Sequence, residues 1–174
     1  MTLEPIDILP LATRMKSLTF QFVLDPERWN GFVLPQNLEW KHVQFKAESS
    51  DSLPKSRGIY AFVLKFYSHD ADKEKDFPIH GYILYGGITG YKEGSTRNLR
   101  QRFNEYLKEN GKRIKIFQMI NNWKSYLYFY YSEVEDESID LLDLEKKFND
   151  AVQPPMAQND FSADVKLIRK AAFS

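Results

Sequence analysis

The chain has no cysteine. Disulfides, thiol nucleophiles and thiolate zinc sites are therefore excluded, and a reducing, cytoplasmic setting accords with the absence. It has no net charge either, since 24 Lys and Arg balance 24 Asp and Glu. A chain that held nucleic acid by bulk attraction would be basic throughout. No apolar run approaches the roughly 18 to 20 residues that cross a bilayer. The opening Met1-Thr-Leu-Glu-Pro lacks the basic and apolar regions of a signal peptide, so none is expected. Histidine is scarce: His42, His69 and His80 are scattered without metal-ligand spacing and receive no role. Internal repeats and low-complexity tracts are also missing. What is present is ordinary for a globular protein, with 174 residues, 43 % hydrophobic and 28 % charged. That length points to one domain, with room for a core that needs no staples.

Neutrality overall hides a segregation of charge. Lys92 to Lys115 carries eight basic residues (Arg97, Arg100 and Arg102 among them) against three acidic ones, and Glu133 to Glu145 carries seven acidic residues and no basic one. On charge alone, the two segments read as solvated faces that attract each other.

Apolar periodicity places the elements. Thr19 to Leu24 and Glu39 to Phe45 read as strands, and the polar stretch Ala47 to Lys55 reads as a linker. Gly58 to Phe66 is apolar on both faces and predicts an interior strand. Tyr67 to His80 reads as a loop. Gly81 to Thr89 is a second buried strand, and its Gly86-Gly87 pair marks a bulge or a close approach to the backbone. Arg97 to Glu109 is a helix with Leu99, Phe103, Tyr106 and Leu107 on one face, ended by Asn110-Gly111. Ile114 to Trp123 is a second helix, and Tyr126 to Tyr131 a third strand. Ser138 is the expected N-cap of a helix running to Val152, which Pro154-Pro155 ends. A further turn or two of helix is expected between Asp164 and Ala172.

Two charges break the pattern. Glu145 falls inside the apolar arc formed by Leu141, Leu144 and Phe148, where a carboxylate is costly unless paired or bound to a cation. Arg102 falls on the shoulder of the stripe that carries Leu99 and Tyr106. One reading is a structural ion pair between Arg102 and Glu145. The other is a cleft in which the first holds a phosphate and the second a metal.

The order Gly58-Ile59-Tyr60, then Tyr85-Gly86-Gly87, then Asn98 to Phe103 with Arg102, then Leu144-Glu145 and Gln153-Pro154 resembles the GIY-YIG nuclease superfamily. The resemblance covers roughly Arg57 to Asn159. It implies an α/β (α+β) fold, a small three-stranded antiparallel sheet flanked by helices. Residues 1–54 would form a β-containing N-terminal extension, and 55–174 the nuclease-like domain. It also implies a metal-dependent endonuclease acting on DNA, duplex or branched, with Mg2+ or Mn2+. Tyr60 would accept a proton from the attacking water or orient it, and Tyr85 would line the site. Arg102 would steady the scissile phosphate, and Glu145 would ligate the metal. Asn159 matches the asparagine after the last motif's helix, at a longer spacing. The cationic segment then becomes a DNA-facing surface, with Lys92, Arg97 and Arg100 as contacts alongside Asn159.

The sequence departs from the family in four places. Gly86 replaces the middle apolar residue of the second motif, and Gly90 to Ser95 lengthens the following connection. Ile88 stands where several members have lysine. No histidine follows Arg102, although Tyr106 stands near that place. Lys65 and Lys92 are the candidates for a basic partner of Tyr60. A chain cutting both strands from one site would act as a homodimer. The competing reading is a catalytically inactive nucleic-acid-binding or protein-interaction module that keeps the fold.

Overall fold

The computed structural model describes the chain except residues 1–7, 20, 21, 24, 33, 34, 36, 37, 66–80, 158, 159 and 174. The sheet has four strands in the order β1 (Lys41–Gln44), β4 (Leu127–Glu133), β2 (Gly58–Leu64), β3 (Tyr82–Thr89), and every neighbouring pair is antiparallel. The expected count of three is corrected by β1, which comes from the first 54 residues. Its sequence Lys-His-Val-Gln has three polar residues of four and suits a sheet edge, and Phe45, just after it, is buried against Phe62 and Phe103.

Strand β2 is buried along all seven residues because helices cover both faces of the sheet. On one face, Tyr60, Phe62, Leu84 and Phe129 pack against Leu99, Phe103 and Tyr106 of α3 (Leu99–Leu107) and Ile116, Met119 and Ile120 of α4 (Ile114–Trp123). On the other, Ile59, Ala61, Val63 and Ile88 meet Leu141, Leu144 and Phe148 of α5 (Leu141–Val152). The glycine pair permits both contacts. A Cβ on Gly87 would run into the Tyr60 hydroxyl, and one on Gly86 would lie 2.6 Å from Asn149 Oδ1 and 2.8 Å from Phe148. The bulge sits just upstream, between Phe62 and Val63, where Leu84 is left over in the pairing.

Helix α3 starts at a reciprocal cap between Asn98 and Gln101, which satisfies two otherwise orphaned donors. Helix α5 is capped by Asp140, which accepts from Leu142 N–H and Asp143 N–H, and not by Ser138. Ser138 instead turns back to Asp136, to which its N–H and hydroxyl donate at 2.9 and 2.6 Å. Gln153 closes α5 in the left-handed conformation at φ 39°, directly before the two prolines. Helix α6 (Ala163–Phe173) is longer than the expected turn or two.

The N-terminal expectations fare less well. Helices α1 (Ile8–Ser17) and α2 (Pro26–Gly31) flank the segment read as a strand. Thr19, Phe22 and Val23 adopt no strand, and Phe20, Gln21 and Leu24 lie outside the described residues. The expected linker folds into a 3-10 turn over Ala47–Ser52, because Arg100 donates to the Asp51 and Leu53 carbonyls at 2.6 and 2.8 Å. The loop expected over Tyr67 to His80 lies outside the described residues.

Candidate active site

Three phenols and a guanidinium meet where β2, β3 and α3 converge. Tyr60 lies at the centre of β2, opposite Gly87. Its hydroxyl is 2.8 Å from the Tyr106 hydroxyl and accepts a hydrogen bond from Arg102 Nε at 2.9 Å. Tyr60 and Tyr106 are both fully buried. The Tyr85 ring centre is 6.5 Å from that of Tyr60 and 6.3 Å from that of Tyr106, and Tyr85 is the partly exposed member of the three. Arg102 is locked in place, since Nη1 donates to Glu105 Oε2 at 2.7 Å and its guanidinium carbon lies 4.8 Å from the Tyr106 ring centre. Glu105 also pairs with Arg97. The structural ion pair between Arg102 and Glu145 is therefore not formed; the acid that pairs with Arg102 is Glu105.

Burial raises the pKa of all three phenols, Tyr60 most clearly, despite the opposing pull of Arg102. Arg102 loses hydration, but the oxygens of Tyr60 and Tyr106 and the bonds to Tyr60 and Glu105 outweigh that loss and raise its pKa. The free site thus consists of neutral phenols around a permanent cation.

Glu145 enters from the helix on the opposite face. Burial first, and the charge of Asp160 second, push its pKa up to about 7, while the Ile88 backbone, Arg102 and Lys146 pull the other way. Ile88 lies on β3, an edge strand. Asp160 is itself raised by burial and feels Lys166 and Arg102. One turn beyond Glu145, Asn149 is fully buried with both amide atoms unbonded. A half-buried carboxylate held partly protonated by a second acid gains from a divalent cation, which removes the repulsion and favours the ionised form. The residues present therefore fit a metal at Glu145. Among the described residues, no three acidic or histidine side chains gather as a full ligand set.

The remaining sequence candidates separate. Lys65 places its ammonium over the rings of Tyr128 and Tyr130, 5.6 and 4.9 Å from their centres. In the alternation of β2 this is the face away from Tyr60. Lys92 is exposed, with its ammonium 6.0 Å from the Tyr91 ring centre. The basic neighbour that Tyr60 has is Arg102. Arg97 is engaged by Glu105, and Arg100 by the 3-10 turn. Asn159 lies outside the described residues. Sequence reasoning missed Glu105, although its i,i+3 spacing from Arg102 was a signal. It also missed Asp160, whose only signal was a polar residue just beyond the two prolines. Tyr106 was noted for its place, and the structure bonds it to Tyr60.

Residues 82–159 match the family model described as the GIY-YIG catalytic domain. The match begins after Gly58-Ile59-Tyr60, but β2 carries that motif directly beside β3 and sets Tyr60 against Gly87. No curated protein and no solved structure matches the chain. Among the described residues no helix is long and apolar enough to cross a membrane. With the motifs adjacent in the sheet in the order the sequence presents them, residues 82–159 are similar to the GIY-YIG catalytic domain, and that match supports membership of the GIY-YIG nuclease superfamily.

Proposed function

We propose that the chain is an endonuclease that hydrolyses DNA phosphodiester bonds with a divalent metal ion, Mg2+ or Mn2+, held by Glu145. What supports this reading is the meeting of Tyr60, Tyr85 and Arg102 on one face of the sheet, close enough to the half-buried Glu145 for the charge of Arg102 to act on it. A cation bound there supplies charge neutralisation for the phosphate and the departing oxygen. Arg102 presents a charged donor fork, already oriented by Glu105 and Tyr60, and takes a phosphate oxygen. Prior orientation matters because donors fixed in place cost no reorganisation when charge develops.

The role assigned to Tyr60 follows from its bonds. A phenol whose pKa burial raises is a weak base at neutral pH. Its hydroxyl is committed to Arg102 and Tyr106, so it acts through orientation, and the partly exposed Tyr85 presents the phenol closest to solvent. Residues 1–54 serve this domain as an extension whose strand closes one sheet edge. The burial of the Tyr60 hydroxyl is also the observation that favours a second reading, a module of the same fold that binds nucleic acid without cutting it.

Supercoiled plasmid incubated with Mg2+ or Mn2+, with and without chelator, separates the two. Chelator-sensitive nicking or linearisation supports the enzyme. Salt-sensitive retention of DNA without cutting supports the binder. Glu145→Ala is expected to abolish cutting while leaving DNA retention largely intact. Cutting by that variant at the wild-type rate refutes the metal role.

A further inference from the structure

Beside the phenol cluster the surface opens into a groove of about 370 Å³, lined by Tyr85 and Asp160 and by the basic residues Lys112, Arg113 and Lys115. The cations of this groove differ from those upstream. Arg97 is paired with Glu105, and Arg100 is committed to the Asp51 and Leu53 carbonyls. Arg113 is half-held: it pairs with Glu109 at 2.5 Å, and its guanidinium carbon lies 4.5 Å from the Tyr106 ring centre. Lys112 and Lys115 have no acidic partner within ion-pair distance among the described residues. Gly111, at φ +97°, lets the chain turn sharply after α3, with Lys112 just before α4 and Lys115 in its first turn.

We propose that this groove is the path of one DNA strand next to the cut, with Lys112 and Lys115 holding phosphates that flank the scissile one. Four features of the groove support this. It opens onto Tyr85, the phenol nearest solvent. Its wall carries two uncommitted cations, which is what sequence-independent phosphate binding requires. The ring of Tyr106 ties Arg113 on the wall to Arg102 in the site, so a phosphate track and the proposed scissile position share one rigid support. Asp160 also lines the groove, and its charge repels a phosphate, so the backbone rests against the lysines and not against Asp160. The proposal rests on the nuclease reading for the identity of its ligand and relocates the DNA contacts from Arg97 and Arg100 to Lys112 and Lys115.

The test is binding of a fluorescent 20-base-pair duplex to the full chain in excess chelator, followed by anisotropy across a salt series. Lys112→Ala/Lys115→Ala is expected to weaken binding by about tenfold at low salt and to flatten the slope of log K against log salt by about 1.8, that is about 0.9 for each phosphate no longer neutralised. Lys41→Ala/Lys46→Ala removes the same charge at the opposite sheet edge and is expected to leave the slope unchanged. A wild-type slope in the groove variant, or an equal loss in the control variant, overturns the proposal, as does a wild-type chain that fails to bind the duplex. Cutting is scored separately with Mg2+. Loss of slope in the groove variant of a chain that never cuts supports the groove and sinks the hydrolase. A cutting wild type beside an unaffected groove variant does the reverse.

Discussion

The electrostatics of Glu145 predict an unusual dependence of stability on pH. In the metal-free chain its carboxyl titrates at about 7, against 4.5 when unfolded. The folded pKa is thus the higher one. Between pH 4.5 and 7 the unfolded chain ionises this group while the folded chain keeps it protonated, so the contribution is fully present below 4.5 and is lost as pH rises through 7. A difference of about 2.5 units corresponds to about 3 kcal/mol, an upper figure because the group is partly solvated. Glu145→Gln keeps the shape and removes the titration. Urea unfolding in excess chelator should find variant and wild type similar at pH 4.5. By pH 7.5 the variant should be the more stable, by about 2 kcal/mol after discounting for solvent. Addition of Mg2+ at pH 7.5 should raise the wild type and leave the variant where it is, since a ligand stabilises only the state that binds it. Two free-energy curves that run parallel from pH 4.5 to 7.5 without metal would show that Glu145 is neither buried nor opposed by Asp160 as described, and the reasoning would fall.

Three further outcomes follow from the packing. Gly87→Ala places a methyl group against the buried Tyr60 hydroxyl and should cost about 2 kcal/mol of stability in urea unfolding; an unchanged midpoint would mean that the strand can move away. Tyr106→Phe removes the 2.8 Å partner of Tyr60 and should cost about 1 kcal/mol, with a matching fall in cutting rate as Tyr60 and Arg102 loosen. Arg100→Ala strips the donors from the Asp51 and Leu53 carbonyls and should lower stability by about 2 kcal/mol while changing the salt slope of DNA binding less than the groove variant does.

The sequence was most legible where one side chain had one job. The apolar run of β2 and the helical stripe of Leu99, Phe103 and Tyr106 read correctly, because burial on a fixed period leaves few alternatives; Arg102 and Glu145 stood out against those stripes, but the ion pair read between them is not formed. The extension was read least well. Within it, β1 does lie inside the strand read over Glu39 to Phe45, and what the sequence left hidden was its pairing with β4. The 3-10 turn over Ala47–Ser52 resembled a linker because its order comes from Arg100, 48 positions away from Ser52 in the chain. The partners of the site were hidden for the same reason. Charge counting marked Arg97, Arg100, Lys112 and Lys115 alike, and only the fold shows which of them already have an acid or a carbonyl.

The departures at the second motif then become intelligible together. Gly86 looked like a weakened motif, but it faces α5, where the space a Cβ would take is filled by Phe148 and Asn149. Asn149 is one turn from Glu145, so an apolar residue at 86 would push against the helix that carries the proposed metal ligand. Gly87 does the corresponding job on the other face, where it admits the Tyr60 hydroxyl. Two adjacent glycines in one edge strand thereby let a tyrosine from one face and a glutamate-bearing helix from the other approach the same backbone. Substituting them singly should harm different things. A larger residue at 86 displaces Glu145 and its metal affinity, whereas one at 87 displaces Tyr60 and, through it, Arg102. Isothermal titration with Mn2+ separates the two: Gly86→Ala should weaken metal binding, and Gly87→Ala should leave it near wild type while cutting falls. Equal metal affinity in both variants would show that the pair does not divide the work between the two faces.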